Sequence, residues 1–164
     1  MKGESMGEVV SIHIVRQRNG AAEAVERATV QTNYGLEGDW RSHRNRSGQL
    51  TMIEVEVLEA VGHLLGAPVS LGASRRQVVV RGVKLSNLIG QRVRIGAVHV
   101  FVETPCDPCS RMEETIGAGA REALEGRGGV RCFVLAGGEL RVGDSIVEEP
   151  FQEQVLKRTA PILT

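Results

Sequence analysis

Aromatic side chains are scarce in this sequence of 164 residues, which has one Trp, one Tyr and three Phe. We therefore expect a core built mainly from Val, Ile and Leu. Net charge is absent as well, because 20 basic residues balance 20 acidic ones. A neutral chain lacks the global field that attracts polyanions, so we expect neither nucleic acid nor a membrane as a partner.

Long apolar runs and paired cysteines are also missing. No stretch approaches the roughly 20 apolar residues of a membrane span, and the polar residues 1–7 contain no apolar segment typical of a secretion signal. Three cysteines cannot all pair with one another, which favours thiol, metal or redox chemistry in a reducing compartment. We therefore expect a cytoplasmic protein.

Short β-strands separated by glycine turns dominate the hydrophobic pattern. The first strand, residues 8–15, is followed by Asn19-Gly20, a strong hairpin signal, and by a returning strand over residues 24–30. A closing hairpin is predicted around Gly137-Gly138. With about eight strands and so many corner glycines, the pattern favours a closed or strongly bent β-barrel, which leaves no exposed sheet edge.

Two or three short helices complete this β-rich fold. Residues 54–65 fit an amphipathic helix that ends at Gly66, and Thr51 with Glu54 resembles a capping box at its start. We divide the chain into an N-terminal extension over residues 1–7, a barrel domain over 8–149 and a tail over 150–164.

Two thiols flank a proline where the predicted strand 98–103 ends, in the order Cys106-Asp107-Pro108-Cys109. Pro108 suits the first position of a helix and favours an extended Asp107, so Asp107 is the predicted N-cap. Cys109 would then be the second helical residue, where the helix dipole favours thiolate over thiol. We predict Cys109 as the nucleophile or soft-metal ligand, with Cys106 as a second candidate.

The third cysteine has a different pattern. Cys132 alternates with Val130 and Val134 along a predicted strand, as expected for a small residue that faces a core. We therefore assign it to packing.

Basic side chains cluster in two further segments. The polar loop 33–47 carries Arg41, His43 and Arg44 beside Asp39, and its arginines could bind a phosphate through paired N–H donors. His43 could act there as a ligand or proton carrier. A solvated basic loop is the alternative interpretation. The second cluster comprises Arg75, Arg76 and Arg81. The glycine-rich segment 126–129 could hold an anion with its backbone amides, and it adds one further basic residue, Arg127.

Seven landmarks in a fixed order resemble the MOSC family, named after the C-terminal domain of molybdenum-cofactor sulfurase. The resemblance extends over residues 8 to 149 and does not depend on any single landmark. The landmarks are residues 35–39 (GLEGD), 75–78 (RRQV), 85–90, 95–96 (IG), 105–109 (PCDPC), 126–129 (GRGG) and 143–144 (GD).

This resemblance implies a barrel-like fold and a cysteine, here Cys109, that ligates the molybdenum of a pterin cofactor or carries sulfur. The cofactor's phosphate would then be bound by Arg75, Arg76 and Arg81 or by the loop 41–46, and Asp39 and Glu103 could accept hydrogen bonds from the amino groups of the pterin. Stand-alone members resemble the metal-binding part of the mitochondrial amidoxime-reducing component, which implies reduction of N-hydroxylated small molecules. Electrons or sulfur would come from partners, either an electron-donor protein or a pyridoxal phosphate-dependent cysteine desulfurase.

Other interpretations of the same residues stay open. Cys106 and Cys109 have the spacing of a dithiol redox pair, although no strand–helix–strand unit is predicted around them. A structural zinc site would need two further ligands recruited from distant histidines. The simplest alternative is a non-catalytic barrel that binds an anion or a protein, because a fold does not fix a function.

Overall fold

A computed structural model describes residues 4–149 of the chain. The predicted tail, residues 150–164, lies outside the described residues, as do residues 1–3. No helix in the described part of the chain is long and apolar enough to cross a membrane.

Strands account for most of this structure, in agreement with the predicted fold class. Within residues 4–149 there are eleven strands, three α-helices and two 3-10 turns. The strands are β1 (Ser5–Val15), β2 (Ala22–Val25), β3 (Arg27–Gln31), β4 (Gly35–Leu36), β5 (Leu50–Glu54), β6 (Val78–Arg81), β7 (Arg92–Ile95), β8 (Val98–Pro105), β9 (Val130–Ala136), β10 (Gly138–Arg141) and β11 (Ser145–Glu149). The helices are α1 (Val55–Leu65), α2 (Ser110–Ile116) and α3 (Ala120–Ala123), and the 3-10 turns are Leu71–Ser74 and Leu85–Leu88.

Seven strands close into a mixed barrel. Their order around the ring is β1-β6-β5-β9-β8-β7-β11, and β11 pairs with β1 to complete it. All pairs in the ring are antiparallel except β5 with β6. A parallel pair needs a crossover connection, which α1 provides between β5 and β6. The predicted barrel is confirmed. Its parallel β5–α1–β6 unit lies away from the Cys106–Cys109 motif in the chain, whereas the strands on either side of that motif, β8 and β9, pair antiparallel.

A second sheet of three strands, in the order β10-β3-β4, lies beside the barrel. It changes two of the predictions. The strand returning from the Asn19-Gly20 turn is divided, because β2 pairs with β1 while β3 pairs with β10 and β4. The predicted hairpin at Gly137-Gly138 is wrong. A Cβ at Gly137 would overlap the Val30 carbonyl oxygen, so the chain passes there into the second sheet and β10 pairs with β3.

The barrel interior is aliphatic, as the shortage of aromatic residues predicts. Val, Ile and Leu side chains from all seven barrel strands fill it, together with the buried thiol of Cys132. A smaller cluster outside the barrel packs Leu58 and Val61 of α1 against Val79, Met112 and neighbouring residues of α2 and α3.

The first helix is close to its prediction. It runs from Val55 to Leu65, and Gly66 ends it in the left-handed conformation at φ 78°. The capping box is wrong, because Thr51 lies in β5 and Glu54 is itself the N-cap, without a side-chain capping hydrogen bond.

Candidate functional site

The thiol loop, residues 105–109, joins the end of β8 to α2 at one end of the barrel. The helix starts at Ser110, so Cys109 is the N-cap, and it makes no side-chain capping hydrogen bond. The prediction that Asp107 caps the helix and that Cys109 is its second residue is therefore wrong by two positions. Pro108 stays outside the helix, where its ring lies against Gly128.

The three cysteines are free and lie in different environments. Cys109 is exposed, Cys106 is 5% exposed, and Cys132 is fully buried within the barrel. Burial raises the pKa of the Cys132 thiol well above its usual range. A buried neutral thiol is inert, which agrees with the packing role predicted for Cys132. Among the three, only Cys109 presents its thiol at the surface.

Arg76 fixes the backbone of the thiol loop. Its side chain is 6% exposed. Its Nε donates to the Gly128 carbonyl at 2.7 Å, and its Nη2 donates to the Cys106 and Asp107 carbonyls at 3.2 and 3.1 Å. Most of the guanidinium is thereby committed to the protein itself, so the structure places Arg76 in a positioning role toward the thiols.

The glycine loop, residues 126–129, packs directly against the thiol loop. The Cys106 amide donates to the Gly129 carbonyl at 2.8 Å, and a Cβ at Gly128 would overlap the Cys106 carbonyl oxygen. A Cβ at Gly129 would overlap the Met52 carbonyl oxygen. The glycines at 128 and 129 therefore permit close backbone packing.

Arg75 and Arg111 meet at the hairpin turn between β1 and β2. Arg75 Nη1 donates to the Gly20 carbonyl at 2.7 Å, and Arg111 Nη2 donates to the Asn19 carbonyl at 3.1 Å. Arg75 has φ 65°, a conformation that costs free energy in a residue other than glycine and is often found at functional sites. The turn thus brings Arg75 and Arg111 onto adjacent carbonyls.

Asp39 and Arg41 brace this arginine cluster. Arg41 Nε and Nη2 donate to the two Asp39 oxygens, each at 2.9 Å, and Arg41 Nη1 donates to the Arg75 carbonyl at 2.7 Å. Burial alone would raise the pKa of Asp39, but hydrogen bonds from Arg41 and from the Val15 amide outweigh it, and the pKa is lowered. Both side chains are engaged structurally, which leaves them little capacity for a pterin or its phosphate.

Arg75 and Arg76 lie close enough to Cys109 for their charges to interact with it. Burial lowers the pKa of Arg75, with help from the charges of Arg111 and Arg41, whereas Asp39 and Cys109 oppose the shift. Burial also lowers the pKa of Arg76, and Cys106 and Cys109 oppose that shift. Within residues 4–149, neither Arg75 nor Arg76 forms a salt bridge with a carboxylate.

Other residues predicted for the site lie apart from the thiols. Arg81 is at the far end of β6, where it pairs with Glu8 at 3.4 Å. Arg44 is exposed and lies over the Tyr34 ring at 5.3 Å, and His43 is exposed on the same loop. The structure does not bring these three to the thiol loop.

Arg127 lies in a separate cleft of about 250 Å³, whose lining includes Cys106, Glu54 and Lys84 but neither Cys109 nor Arg75. Its Nε donates to the Ala123 carbonyl at 2.9 Å. Within residues 4–149, no group of three or more His, Cys, Asp or Glu side chains could hold a metal ion.

Comparison with known proteins agrees with this architecture. The family model described as the MOSC domain matches residues 39–147, well over half of the chain. The chain belongs to the MOSC domain family. The match contains the thiol loop and the glycine loop of this MOSC barrel, together with Arg75 and Arg76. No curated protein matches the chain significantly.

Solved structures share the MOSC fold at low sequence identity. The YuaD protein from Bacillus subtilis has a TM-score of 0.76 and 17% identity, over 89% of this chain and 97% of that one. YiiM from Geobacillus stearothermophilus gives 0.70 and 17%, over 88% and 75% of the two chains. YiiM from Escherichia coli gives 0.67 and 16%, over 88% and 71%. At these identities the likeness establishes the fold alone.

Two further arginines near the candidate site were not among the predicted binding residues. Arg111 is two positions after Cys109, and that proximity in sequence was the available signal. Arg131 is exposed in β9, and its positive charge contributes to the lowered pKa of Arg76. Its strand position carried no signal, because its approach to Arg76 depends on how β9 pairs in the sheet.

Proposed function

We propose that this MOSC protein binds a molybdenum–pterin cofactor through the thiolate of Cys109. The observation that supports the proposal is the exposed thiol of Cys109 close to two arginines, Arg75 and Arg76, that form no salt bridge among residues 4–149. A thiolate is a soft ligand that suits a molybdenum centre. Surrounding positive charge favours an anionic ligand that bears a phosphate.

Part of the predicted residue set fits such a cofactor. Among residues 4–149, the only side-chain hydrogen bond of Arg75 is the one from its Nη1 to the Gly20 carbonyl, so its remaining N–H donors could receive a phosphate. Arg131 is exposed and could contribute a second donor. Arg76, Arg41 and Asp39 are bound to the protein itself and would hold the loops around the cofactor. These contacts support a revised set of cofactor-binding residues, namely Cys109, Arg75 and Arg131.

Bound in this way, the cofactor would supply two-electron redox chemistry at molybdenum, for which N-hydroxylated small molecules are the proposed substrates. Cys109 would hold the metal, Arg75 would bind the phosphate, and Arg76 would keep the thiol loop in place. Electrons would come from a partner protein. We further propose a cytoplasmic location, where a reducing environment would keep the free thiols available.

Metal analysis and pterin fluorescence test this proposal on full-length protein made in a host that synthesises the cofactor. We expect molybdenum and pterin to co-purify with the parent protein and to be lost together in Cys109→Ala. Cys106→Ala serves as the matched thiol control and should retain both. Equal molybdenum content in Cys109→Ala and the parent would contradict the ligand assignment.

A second function, carriage of sulfur as a persulfide, is favoured by the exposure of Cys109. A partner protein can reach a surface thiol at the start of a short helix, whereas the nearby Cys106 is buried. In this function a cysteine desulfurase would load Cys109, and the arginines would favour the anionic persulfide. Intact mass after incubation with a desulfurase and cysteine should show one added sulfur atom. Its absence in the parent protein would eliminate this function.

A further inference from the structure

Two neighbouring cations beside Cys109 have no carboxylate partner in the described part of the chain. Within residues 4–149, the guanidiniums of Arg75 and Arg76 donate only to backbone carbonyls, those of Gly20 for Arg75 and of Gly128, Cys106 and Asp107 for Arg76. A cation removed from water costs free energy unless an opposite charge offsets it. The corner therefore has a charge that suits an anion of more than one negative charge.

A third arginine adds an unused donor at the same corner. Arg111 is half-buried, and its Nη1 pairs with Glu114 at 2.9 Å. Its Nε, in contrast, is buried without a hydrogen-bond partner among residues 4–149. Unpaired buried donors are rare in folded proteins and call for an explanation. A ligand oxygen between Arg75 and Arg111 would satisfy this N–H, because the two guanidiniums already lie together on the Asn19 and Gly20 carbonyls.

The thiol gives this anion site a reactive partner. Cys109 directly precedes α2, which carries Arg111, and the backbone of its loop is held by Arg76. A ligand with oxygens on the arginines and a soft atom directed at Cys109 would match both kinds of group. Oxyanions that carry a transferable sulfur, such as thiosulfate, have this chemistry.

We propose that Arg75 and Arg111 bind a dianionic sulfur oxyanion, with thiosulfate as its simplest member, and that Cys109 accepts the terminal sulfur of this donor. This inference rests on the persulfide function proposed above and names a small-molecule donor for it.

The transfer is balanced without any further reagent. The Cys109 thiolate attacks the terminal sulfur of thiosulfate, and a new S–S bond forms at Cys109. The S–S bond of thiosulfate breaks, and its electron pair leaves with sulfite. Cys109 becomes a persulfide anion, and a thiol or cyanide can later remove its outer sulfur. The arginines would hold the sulfonate oxygens during attack and stabilise the charge that develops on the leaving sulfite.

The test measures loading of the full-length, reduced protein with thiosulfate. Intact mass reports the added sulfur atom, a colorimetric assay reports released sulfite, and peptide mapping assigns the modified cysteine. We expect stoichiometric sulfite release and a persulfide at Cys109, with neither product in Cys109→Ala. Sulfate should compete with thiosulfate, because it offers the same oxyanion without a transferable sulfur.

Arginine variants test the binding site. Arg75→Gln and Arg111→Gln should each raise the thiosulfate concentration needed for half-maximal loading by about tenfold, as expected for loss of one charge-assisted hydrogen bond. Arg81→Gln is the matched control, since Arg81 pairs with Glu8 away from the thiol loop, and it should load like the parent. Unchanged loading in both Arg75→Gln and Arg111→Gln would overturn the assigned oxyanion site.

Loading by a cysteine desulfurase separates the two proposals. If the desulfurase produces a persulfide on Cys109 and thiosulfate does not, the donor inference is wrong while the persulfide function stands. If neither donor loads Cys109, both are wrong. Loading at Cys106 in place of Cys109 would overturn the assignment of the accepting thiol.

Discussion

Arg76, two residues before β6, and Arg81, the last residue of β6, lie in opposite environments. Arg76 is 6% exposed and donates to three carbonyls of the thiol and glycine loops. Arg81, in contrast, is exposed and pairs with Glu8. An arginine therefore holds two loops together in one position and is a solvated surface charge in the other.

This difference shows where the barrel concentrates positive charge in a chain of zero net charge. Asp39 neutralises Arg41, but Arg75 and Arg76 meet only carbonyl oxygens among the described residues. An ion pair such as Arg81 with Glu8 cancels its own field, whereas cations held by carbonyls keep theirs. The positive charge of Arg75 and Arg76 thus stays available to a ligand, because their hydrogen-bond acceptors are neutral backbone carbonyls.

The largest effect is expected from Arg76→Met, which tests directly whether Arg76 holds the two loops together. Three carbonyls would lose their donor in a buried position, and we expect a loss of about 4 kcal/mol in the free energy of unfolding. Arg76→Lys should recover only part of it, because an ammonium cannot reproduce the planar fork of a guanidinium. Urea unfolding followed by circular dichroism measures both. A loss in Arg76→Met no greater than in an Arg81 variant would remove the contrast between the two positions.

The next largest effect is expected from Gly128→Ala, which tests the packing of the glycine loop. The new Cβ would overlap the Cys106 carbonyl oxygen, so the two loops would have to separate. We expect a loss of about 3 kcal/mol in the free energy of unfolding and faster alkylation of Cys106.

Gly126→Ala is the matched control for that prediction. Nothing lies near a Cβ at Gly126, although its φ of 77° disfavours alanine. Its cost should be limited to about 1 kcal/mol of backbone strain. Equal unfolding free energies for the two alanine variants would show that the loops tolerate separation.

A pH-dependent effect is expected from Asp39→Asn. Because the pKa of Asp39 is lowered in the folded protein, its ion pair contributes fully above the ordinary value of 3.8. That contribution decreases as the pH falls through the lower folded pKa. Asp39→Asn should cost about 2 kcal/mol at neutral pH and should flatten the acid limb of the stability profile. A parallel acid limb in the two proteins, from urea titrations at stepped pH, would contradict this assignment.

The smallest effect is expected from Arg81→Gln. The Arg81–Glu8 pair is exposed and its closest N–O distance is 3.4 Å, so its loss should change the free energy of unfolding by less than about 0.5 kcal/mol. Added salt should reduce even this difference. The contribution of an exposed ion pair has an upper limit of about 1 kcal/mol. A greater loss would indicate that hydrogen bonds also hold this end of β6 in place.

Local patterns predicted the elements better than their partners. Alternation and turn residues placed most of the strands, and the period of residues 54–65 placed α1 to within one residue. Cap chemistry was less reliable. The Asp107-Pro108 pattern predicted a helix start two residues early, because the close approach of Gly128 to Pro108 and the Cys106 carbonyl keeps the thiol loop extended.

The candidate site was predicted only in part for a related reason. Spacing and residue type identified the Cys106–Cys109 pair and the Arg75–Arg76 pair, since thiols and arginines are chemically distinctive. They could not show that the Arg76 guanidinium donates its hydrogen bonds to three carbonyls, or that Arg81 lies away from the thiol loop. Such assignments depend on which backbone atoms lie within hydrogen-bond distance, and long-range contacts set those distances.

The sequence by itself determined a mainly β chain with an aliphatic core and a thiol motif at the end of a strand, because periodicity and residue chemistry are local properties. Only the tertiary structure decided that seven strands close into a ring, that β10 joins a second sheet, and that the β1–β2 turn brings Arg75 and Arg111 together beside Cys109. These outcomes depend on pairing between residues that are far apart in the chain. The free energy of that pairing cannot be inferred from any local sequence pattern.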